Sequence, residues 1–481
     1  MRDNYLRIHP FFLIILSGFL LRILFFTYGA DIFYGKNIYI NGDSFSWTES
    51  FLNLWNKGIY GIWIGNIDSY MGRGPGYPFF WGMHYLIFGP SLVYQAVAVT
   101  QLVLDTIAIW MIFEIAMILS KNKKVALSSA LLYALYPFSI AWITITASES
   151  FSTFLVILII WFYLKYSLTT KNLFILGLLV SYATLTRPFL GLFLPILSFQ
   201  MMLDSATWSK RIFKVFILNL AFLIIYGIWP LRNYINYNKG VIFTSKGSGY
   251  YDYQEDLWAF RDWVFSWQSD LQYYQSLNEQ VVRTEDHIIV PKDVFQNNSE
   301  RLLFNELIEM CRSCGPSFLY LKTRRKVVEN ELNCKEEINA GFDYLRNSYR
   351  EKHFYYSQFV IPLKALQRSV FKLSLSESTT VGETSPFVRL IFIYRTVAII
   401  LGFLGIIYLT FVAHRSHLII VLYPVAWYLI LPMMMPYLQY RYFLQADVLL
   451  LFSIPLAIGH MLERKGKGRK ERLASGTSSC A

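Results

Sequence analysis

The chain has 481 residues, of which 55% are hydrophobic and only 16% are charged, and its formal net charge is +12. An ordinary soluble enzyme has a charged fraction of about a quarter, so this composition excludes that class and indicates a polytopic membrane protein. A positive charge could indicate a nucleic-acid partner, but the basic residues lie in short clusters between apolar stretches. That distribution is typical of cytoplasmic loops, so we expect membrane lipids, and no nucleic acid, as partners.

The first predicted element is a transmembrane helix over residues 11–29, an apolar stretch of about the twenty residues that a bilayer requires. Arg2 and Arg7 precede it, which predicts a cytoplasmic N-terminus. A signal peptide would need a small-residue cleavage site after the apolar stretch. No such site follows, so we interpret the segment as an anchor.

The first outer loop, residues 30–90, holds an acid and an arginine among turn residues. Asp43 follows an Asn-Gly turn signal and precedes an aromatic, amphipathic stretch. That stretch is expected to lie along the membrane interface. Arg73 comes about thirty residues after Asp43, in a Gly/Pro turn that leads to Tyr77.

Further spans are predicted along the rest of the chain, with short basic clusters between them. These spans cover residues 92–118, 125–145, 150–166, two short passes within 172–204 that are broken at Thr186-Arg187-Pro188, 215–230, 388–411, 417–435 and 443–461. The total of ten passes, with both ends in the cytoplasm, places every basic cluster on one side of the membrane. The same topology places residues 41–80 and 234–385 together on the outer face.

Residues 234–385 differ from the rest because they are polar, rich in tyrosine and hold most of the acidic residues. We therefore predict an all-α polytopic membrane protein in three parts. They are an N-terminal membrane domain over 1–233, a soluble outer module over 234–385, and C-terminal membrane helices with a basic tail over 386–481. Within the module, residues 301–372 have apolar positions at three- and four-residue spacing, which predicts mostly helical structure.

One acid and four arginines are the candidate functional residues. A carboxylate such as Asp43, held at the membrane surface beside a low-dielectric cavity, suits the role of a general base. Guanidinium groups bind a phosphate through two parallel hydrogen bonds. The candidate phosphate-binding residues are Arg73, Arg187, Arg232 and Arg441. The alternatives are a simple turn role for the acid and anchoring of the arginines at the membrane interface.

Two further acids lie in or near predicted spans. Glu149 could cap the start of its helix or line the cavity. Asp105 falls inside an apolar span, where an acid is a functional candidate by default. A hydrogen bond to a neighbouring helix explains that acid equally well.

Three cysteines lie in the predicted outer module and a fourth in the cytoplasmic tail; they are Cys311, Cys314, Cys334 and Cys480. An oxidising outer compartment permits a disulfide, so we expect one bridge among the first three. A zinc site would need a fourth ligand, for which only His287 and His353 are near in sequence. Cys311 and Cys314 form a C-x-x-C pair, but a thioredoxin-like redox motif would lie in a βαβ unit, and the sequence predicts none here.

Seven segments occur in an order that is known from one superfamily. They are GDSFSW, LWNKGIYG, RGPGYPFFWGMHYLIFG, LYPFSIAWITITASESF, TLTRPFLGLFLP, WPLRNYINYNKGVIFTSKGSG and QYRYFLQAD. This series resembles the GT-C superfamily of membrane glycosyltransferases. It is most similar to the bacterial relatives of the protein O-mannosyltransferases and of the aminoarabinose and lipopolysaccharide-core sugar transferases. The resemblance covers residues 1–250 and 385–461, approximately.

The resemblance implies a polyprenyl-phosphate sugar donor and an inverting transfer at the outer face of the bacterial inner membrane. By position it assigns the catalytic base to Asp43 and the binding of carrier phosphate to Arg73. Arg441 matches the arginine of an Arg-Tyr pair near the end of the family's pattern. The residues expected to line the cavity are Glu149, Tyr77 and Tyr442. Since arginines meet the phosphate, we expect no divalent metal and no other cofactor.

The chain departs from the family's pattern at two points. Many relatives carry two adjacent acids in the first loop, whereas Asp43 is followed by Ser44, with Glu49 six residues on. Relatives often have Pro-Pro-Gly where this chain has Arg-Gly-Pro-Gly. The first departure leaves the number of catalytic carboxylates open, and the second leaves the register of Arg73 open by a residue.

Two other classes of function remain open. A lipid or glycan transporter or flippase would also be polytopic, but it should show internal repeats and broken helices at a polar midplane. No repeat is found in this sequence. A non-catalytic assembly subunit would need no acid beside an arginine cluster. The sequence does not specify the sugar, nor whether the acceptor is a glycolipid, a cell-surface glycan or a protein.

Overall fold

A computed structural model describes most of the chain. The described residues are 10–35, 37–41, 43–204, 207–244, 255–284, 288–323, 334–372, 386–412, 417–435 and 438–476. They form α-helices joined by loops and short 3₁₀ or π turns, and no strand occurs among them. The predicted all-α class is therefore confirmed.

Eleven helices precede the outer module. They are α1 (Pro10–Leu24), α2 (Ala30–Tyr34), α3 (Ser44–Lys57), α4 (Gly76–Ser120), α5 (Lys123–Ala134), α6 (Pro137–Ile140), α7 (Ser148–Lys165), α8 (Thr170–Thr186), α9 (Phe193–Met202), α10 (Trp208–Tyr226) and α11 (Ile228–Tyr237).

The module and the C-terminal part supply the remaining helices. Those of the module are α12 (Glu255–Trp267), α13 (Leu271–Arg283), α14 (Asn298–Ser313), α15 (Pro316–Thr323), α16 (Lys335–Lys352) and α17 (Ile361–Val370). Those of the C-terminal part are α18 (Pro386–Val412), α19 (Leu418–Met434) and α20 (Leu444–Gly476).

Six helical segments in the described part of the chain are long and apolar enough to cross a membrane. They are Pro10–Tyr34, Gly76–Ser120, Ser148–Lys165, Trp208–Tyr237, Val388–Val412 and Tyr440–Lys465. Two apolar helices, Pro188–Met202 and Leu418–Met434, are shorter. The predicted count of ten passes is not confirmed, because several expected spans form helices shorter than the roughly twenty residues that a bilayer requires.

Helix α4 contains a sharp break. Its 45 residues would form a rod of about 68 Å if it were straight. Gly89 instead adopts φ 73° and ψ 174°, and Pro90 follows it. A side chain at Gly89 would strain this left-handed backbone, so glycine is required there. The break separates residues 76–88, next to the outer loop, from residues 90–120, which contain the span predicted at 92–118.

The span predicted at 125–145 is not one continuous helix. Helix α5 ends at Ala134, and after the single turn of α6 the chain runs through a buried irregular passage, residues 141–147. Backbone carbonyls in such a passage need donors, because a buried polar group without a hydrogen bond is costly. The Gln101 side-chain amide supplies them, donating to the carbonyls of Ile143 and Ile145 at 3.0 Å each.

The outer module has its own hydrophobic core, which is rich in aromatic rings. Phe260, Trp263, Phe304 and Phe342 lie in its centre with exposed fractions of 1% or less. Asp256 is also buried, and its carboxylate accepts hydrogen bonds from the backbone and the hydroxyl of Ser317. Burial raises the pKa of Asp256 despite these bonds. The helical character predicted for residues 301–372 is present in the described part of that range.

One disulfide bridge closes a loop in the module. It joins Cys314 to Cys334, while Cys311 is buried and free. The prediction of a single bridge among these three cysteines is confirmed. His287 and Cys480 lie outside the described residues.

One buried arginine, Arg395, joins the module to two of the C-terminal helices. Arg395 in α18 contacts Asp447 in α20 at 2.8 Å, and both side chains are almost completely buried. The same guanidinium donates to the carbonyl of Ser369 in α17 at 2.9 Å. The module's last helix is thereby fixed against two membrane helices.

Asp105 forms a second buried ion pair. Its carboxylate contacts the Arg22 guanidinium at 2.5 Å, and Tyr133 donates a hydrogen bond to its other oxygen. Arg22 also donates to the carbonyls of Gly18 and Ala134. Both charged groups are thus held between α1, α4 and α5, which supports the structural interpretation of Asp105 over the functional one.

We predict that Asp105→Leu destabilises the protein, because it leaves the Arg22 charge buried without a counterion. Breaking such a pair costs about 3–5 kcal/mol. The double variant Arg22→Met/Asp105→Leu should recover most of the loss, as measured by thermal unfolding in detergent. Lys165→Gln is the control, since it opens a partly exposed ion pair with Glu114 and should change stability by about 0–1 kcal/mol. Equal losses in the two single variants would contradict the prediction.

Candidate functional site

The first outer loop places Asp43 directly before α3. The Asp43 amide donates to the side chain of Asn41 at 3.0 Å, and the Asp43 carbonyl accepts from the Ser46 hydroxyl at 2.8 Å. The carboxylate makes no capping bond to its own helix. It therefore projects away from α3, with 30% of the side chain exposed.

The carboxylate of Asp43 forms an ion pair with Arg441, almost 400 residues later in the sequence. Arg441 lies in the 3₁₀ turn just before α20, and its Nε donates to the side-chain oxygen of Gln439 at 2.5 Å. Its Nη2 contacts Asp43, while its Nη1 lies 3.5 Å from Glu149. Arg441 thus stands between two carboxylates that belong to different parts of the chain.

Glu149 also binds a second arginine. Its Oε1 contacts Nη2 of Arg187 at 2.6 Å, and the Ser148 hydroxyl accepts from the Arg187 Nε at 2.7 Å. The Glu149 side chain is 2% exposed and that of Arg187 is 9% exposed. In the described part of the chain, Oε2 of Glu149 and Nη1 of Arg187 are buried without a hydrogen-bond partner. The site therefore retains one donor and one acceptor for a further group.

Local sequence explains how Glu149 and Arg187 meet. Glu149 lies in the first turn of α7, where the helix dipole favours a carboxylate. Arg187 precedes Pro188, which disfavours helical geometry at the residue before it. Helix α8 ends there, and the Arg187 backbone is extended at φ −144° and ψ 120°. The break that was predicted at this point is present, and it turns the guanidinium towards the start of α7.

Arg73 reaches the site from the Gly/Pro turn. Its Nε donates to the Ser46 hydroxyl at 3.1 Å, and its guanidinium lies over the Trp47 ring, 4.2 Å from the ring centroid. Among the described residues, no hydrogen-bond partner is found for its two terminal nitrogens. Arg73 is also close enough to Asp43 to contribute to the electrostatic stabilisation of that carboxylate.

Two glycines allow the Arg73 turn to pack against the end of α8. A Cβ on Gly76 would lie 2.4 Å from the backbone nitrogen of Thr186, and one on Gly74 would lie 2.4 Å from the carbonyl oxygen of Leu185. The Tyr182 hydroxyl also donates to the Gly76 carbonyl at 3.1 Å. The turn and the Arg187 break are therefore in direct backbone contact, which brings Arg73 and Arg187 to the same region.

Arg232 is placed differently from the other three arginines. Its guanidinium donates to the carbonyls of Tyr60 and Tyr70 at 3.0 and 2.8 Å, and to the side chains of Asn233 and Tyr237. These bonds fix the outer loop to α11. Arg232 takes no part in the ion pairs that link Asp43, Arg441, Glu149 and Arg187, so its contacts indicate a structural role.

Of the two predicted cavity tyrosines, Tyr77 is completely buried. Its hydroxyl donates to Gln101 at 3.3 Å, and its ring packs edge-on against Trp47 at 5.4 Å. Tyr442 lies beside Arg441, whose guanidinium is 5.3 Å from the centroid of the Tyr442 ring. Both tyrosines therefore support residues of the site.

The site carries an excess of one positive charge, because three guanidinium groups, those of Arg73, Arg187 and Arg441, face the carboxylates of Asp43 and Glu149. Burial alone would raise the pKa of Asp43, but the three arginines outweigh it and hold the pKa below the ordinary aspartate value of 3.8. Asp43 is thus ionised at neutral pH. A site with this excess of positive charge can bind a further anion.

Two larger cavities in the described part of the protein are lined by other residues. One is an apolar groove of about 550 Å³ between α17, α18 and α19, which includes Leu366 and Ile399. The other, of about 690 Å³, lies between the outer loop and the module, with Asp68, Lys239 and Arg346 in its walls. Neither is lined by the charged residues around Asp43, so the hollow expected beside Asp43 is not one of these two.

No group of three or more His, Cys, Asp or Glu side chains in the described ranges is arranged to hold a metal ion. Asp43 and Glu149, the acids of the site, contact arginines. Independence from a divalent metal stays a prediction.

Several residues of the site were not predicted from the sequence. Ser46 and Trp47 orient Arg73, Ser148 orients Arg187, and Gln439 orients Arg441. All four lie within segments already singled out, GDSFSW, LYPFSIAWITITASESF and QYRYFLQAD. Their positions close to a candidate acid or arginine were the available signal, but the sequence did not show which side chain each of them contacts.

The sequence matches one family model, described as dolichyl-phosphate-mannose-protein mannosyltransferase, over residues 72–229. This part includes Arg73, Glu149 and Arg187, whereas Asp43 and Arg441 lie outside it. No curated protein sequence matches the chain.

Solved structures resemble the chain in fold. The apo oligosaccharyltransferase of Archaeoglobus fulgidus matches with a TM-score of 0.51 and 12% identity, over 98% of this chain and 53% of that one. AglB of the same organism, in complex with an inhibitory peptide and a dolichol-phosphate, gives 0.49 and 13%, over 98% and 52%. ArnT from Cupriavidus metallidurans bound to undecaprenyl phosphate gives 0.38 and 12%, over 94% and 77%. The chain spans about half the length of the oligosaccharyltransferase structures.

We predict that Gly76→Ala displaces the Arg73 turn, since the new methyl group would clash with the backbone of Thr186, which cannot move aside as a flexible side chain would. Thermal unfolding should show a loss of about 1–3 kcal/mol, typical of overpacking. Gly240→Ala is the matched control, because a Cβ there meets nothing within 4 Å. A Gly76→Ala protein as stable as the Gly240→Ala protein would contradict the packing described.

Proposed function

We propose that this chain, which has the fold of the GT-C superfamily of membrane glycosyltransferases, transfers a sugar from a polyprenyl-phosphate donor to an acceptor outside the cytoplasm. One observation carries the proposal. Asp43 lies within a cluster of three arginines, Arg73, Arg187 and Arg441, that come from distant parts of the chain. A turn acid or an interface arginine would need no such arrangement.

Asp43 is proposed as the general base. In the reaction, a hydroxyl or amine of the acceptor attacks C1 of the sugar, and the bond between C1 and the phosphate oxygen breaks. The electron pair of that bond leaves with the carrier phosphate, and the proton of the acceptor passes to the Asp43 carboxylate. Attack from the side opposite to the leaving group inverts the configuration at C1.

The arginines are proposed to stabilise the negative charge that develops on the leaving phosphate. Guanidinium groups suit this task because they stay charged and match phosphate oxygens through paired N–H donors. Arg187 has a buried nitrogen, Nη1, without a partner in the described structure. Arg73 donates to Ser46 through its Nε, and no partner is found among the described residues for its two terminal nitrogens. Donors that are already fixed in place lose little free energy to reorganisation during the reaction.

The proposed setting is a bacterial inner membrane, with the reaction on its outer face. The apolar helices support an integral membrane protein. In the proposed organisation, residues 1–233 and 386–481 form the membrane parts, and residues 234–385 form a soluble module beside the first outer loop. The acceptor is proposed to be a glycolipid, a cell-surface glycan or a protein that reaches this face.

We predict that Asp43→Asn abolishes the transfer, because the amide cannot accept the proton; loss of a general base lowers rates by roughly 10²–10⁴-fold. The measurement compares extracytoplasmic glycolipids, glycans and glycoproteins by mass spectrometry in cells with the wild type, Asp43→Asn or no copy of the chain. Glu49→Gln is the matched control, from the helix that directly follows Asp43, and cells with this variant should have the glycan profile of the wild type.

Protein levels and thermal stability in detergent must be similar for these variants. A wild-type glycan profile in cells with Asp43→Asn would remove Asp43 from the mechanism. Loss of transfer in Glu49→Gln would mean that two carboxylates of the first loop take part. An unchanged profile in cells without the chain would favour a function other than transfer.

We predict that Arg73→Ala weakens the binding of a polyprenyl phosphate by roughly ten- to a hundredfold, the equivalent of one charged hydrogen-bond donor. Binding is measured with purified protein in detergent. Arg232→Ala is the contrasting variant, because its guanidinium holds loop carbonyls and its loss should lower thermal stability. The assignments are wrong if Arg232→Ala weakens binding at full stability while Arg73→Ala does not.

A further inference from the structure

The proposed base is already engaged in this structure. The Asp43 carboxylate contacts Nη2 of Arg441, the residue that is also expected to bind the phosphate. A carboxylate that is neutralised by a guanidinium is a poor acceptor for a proton. If the proposed function is correct, something has to separate the two groups before the proton of the acceptor can be removed.

The bonding of Arg441 restricts where a phosphate can bind. A guanidinium binds a phosphate with two N–H groups, either Nε with Nη2 or Nη1 with Nη2. Both pairs include Nη2, the nitrogen that contacts Asp43, while Nε contacts Gln439 and Nη1 faces Glu149. A phosphate would therefore approach the nitrogen that the Asp43 carboxylate occupies, and two anions at this short range repel each other strongly.

Differences in packing decide whether Arg187 or Arg441 can exchange partners. Arg187 is fixed at two atoms, by Glu149 at 2.6 Å and by Ser148 at 2.7 Å. Arg441 lies farther from Glu149, at 3.5 Å, and its Asp43 partner is 30% exposed. The bond between Arg441 and Asp43 is thus at the open side of the site, whereas the bond between Arg187 and Glu149 is at the closed side.

We propose that the carrier phosphate and the Asp43 carboxylate compete for the Arg441 guanidinium, so that Asp43 becomes free to act as a base only when the donor is bound. The inference rests on the proposed function of the site. Arg187 keeps its place on Glu149 and receives the phosphate with its unpaired Nη1. Arg441 exchanges one anion for another, and the charge of the phosphate offsets the excess positive charge of the site while the carboxylate is released beside the sugar.

The competition has a consequence that a simple phosphate site lacks. Neutralising the base should improve the binding of the phosphate, because Arg441 no longer has to leave a partner. The apparent dissociation constant of a ligand equals its intrinsic constant divided by the fraction of molecules in which the binding group is free. We expect Asp43→Asn to bind a polyprenyl phosphate about tenfold more tightly than the wild type does, which corresponds to about 1.4 kcal/mol.

The test is a double-variant cycle with purified full-length protein in detergent. The dissociation constant of undecaprenyl phosphate is measured for the wild type, Asp43→Asn, Arg441→Gln and the double variant. Arg441→Gln should weaken binding, and in that background Asp43→Asn should bring no gain. Inorganic phosphate serves as a second probe. If Asp43→Asn binds it more tightly than the wild type does, the phosphate headgroup alone competes with Asp43. If only the lipid binds more tightly, the competition requires the membrane-anchored carrier.

Glu149→Gln separates competition from a general charge effect. It also removes a negative charge from the site, but it releases the anchor of Arg187 and should weaken binding. The proposal is overturned if Asp43→Asn fails to tighten binding of the lipid. It is equally overturned if Asp43→Asn still tightens binding of the lipid in the Arg441→Gln background, or if Glu149→Gln tightens binding by the same factor. A change in overall charge would then explain the data.

Asp43→Ser provides a second neutral side chain if the asparagine variant is unstable, and the same gain is expected. The sugar-transfer assay distinguishes this proposal from the proposed function. Loss of transfer without tighter binding would leave Asp43 as the base but refute the competition. Tighter binding with transfer retained would support the competition for Arg441 and refute the role of Asp43 as the base.

Discussion

The carboxylate of Glu149 is the group on which the geometry of the site depends. It is 2% exposed, and an ionised carboxylate in such surroundings is very costly unless cations compensate for the lost water. Arg187 and Arg441 supply that compensation from two distant parts of the sequence. Arg441 in turn contacts Asp43. The buried carboxylate of Glu149 is therefore linked, through one arginine, to the first outer loop.

The position of Glu149 depends on a stretch of irregular backbone. Residues 141–147 lead into α7 without forming a helix, and their burial is tolerated because Gln101 bonds two of their carbonyls. On the other side, the Arg73 turn fits against the end of α8 only because Gly74 and Gly76 have no side chains. The site is therefore built from breaks in helices, and the surrounding helices hold those breaks in place.

The start of α20 connects the site with the outer module. Arg441 lies just before this helix, and Asp447 lies in its first turn, where it binds Arg395 of α18. Arg395 also donates a hydrogen bond to the carbonyl of Ser369 in α17. The contact that fixes the module and the arginine of the site therefore both depend on the short segment from Arg441 to Asp447. A displacement of Arg441 would take place within about two helical turns of the contact that fixes the module.

The sequence by itself determined the all-α membrane class, the break at Arg187 and the single bridge among three cysteines, because hydropathy, proline geometry and cysteine location are local properties. It also identified Asp43, Arg73, Arg187 and Arg441 as candidates. Only the tertiary structure decided which of them meet. Glu149 became the centre of the cluster and Arg232 became a support of the loop, because ion pairing depends on distances in space that residue spacing does not contain.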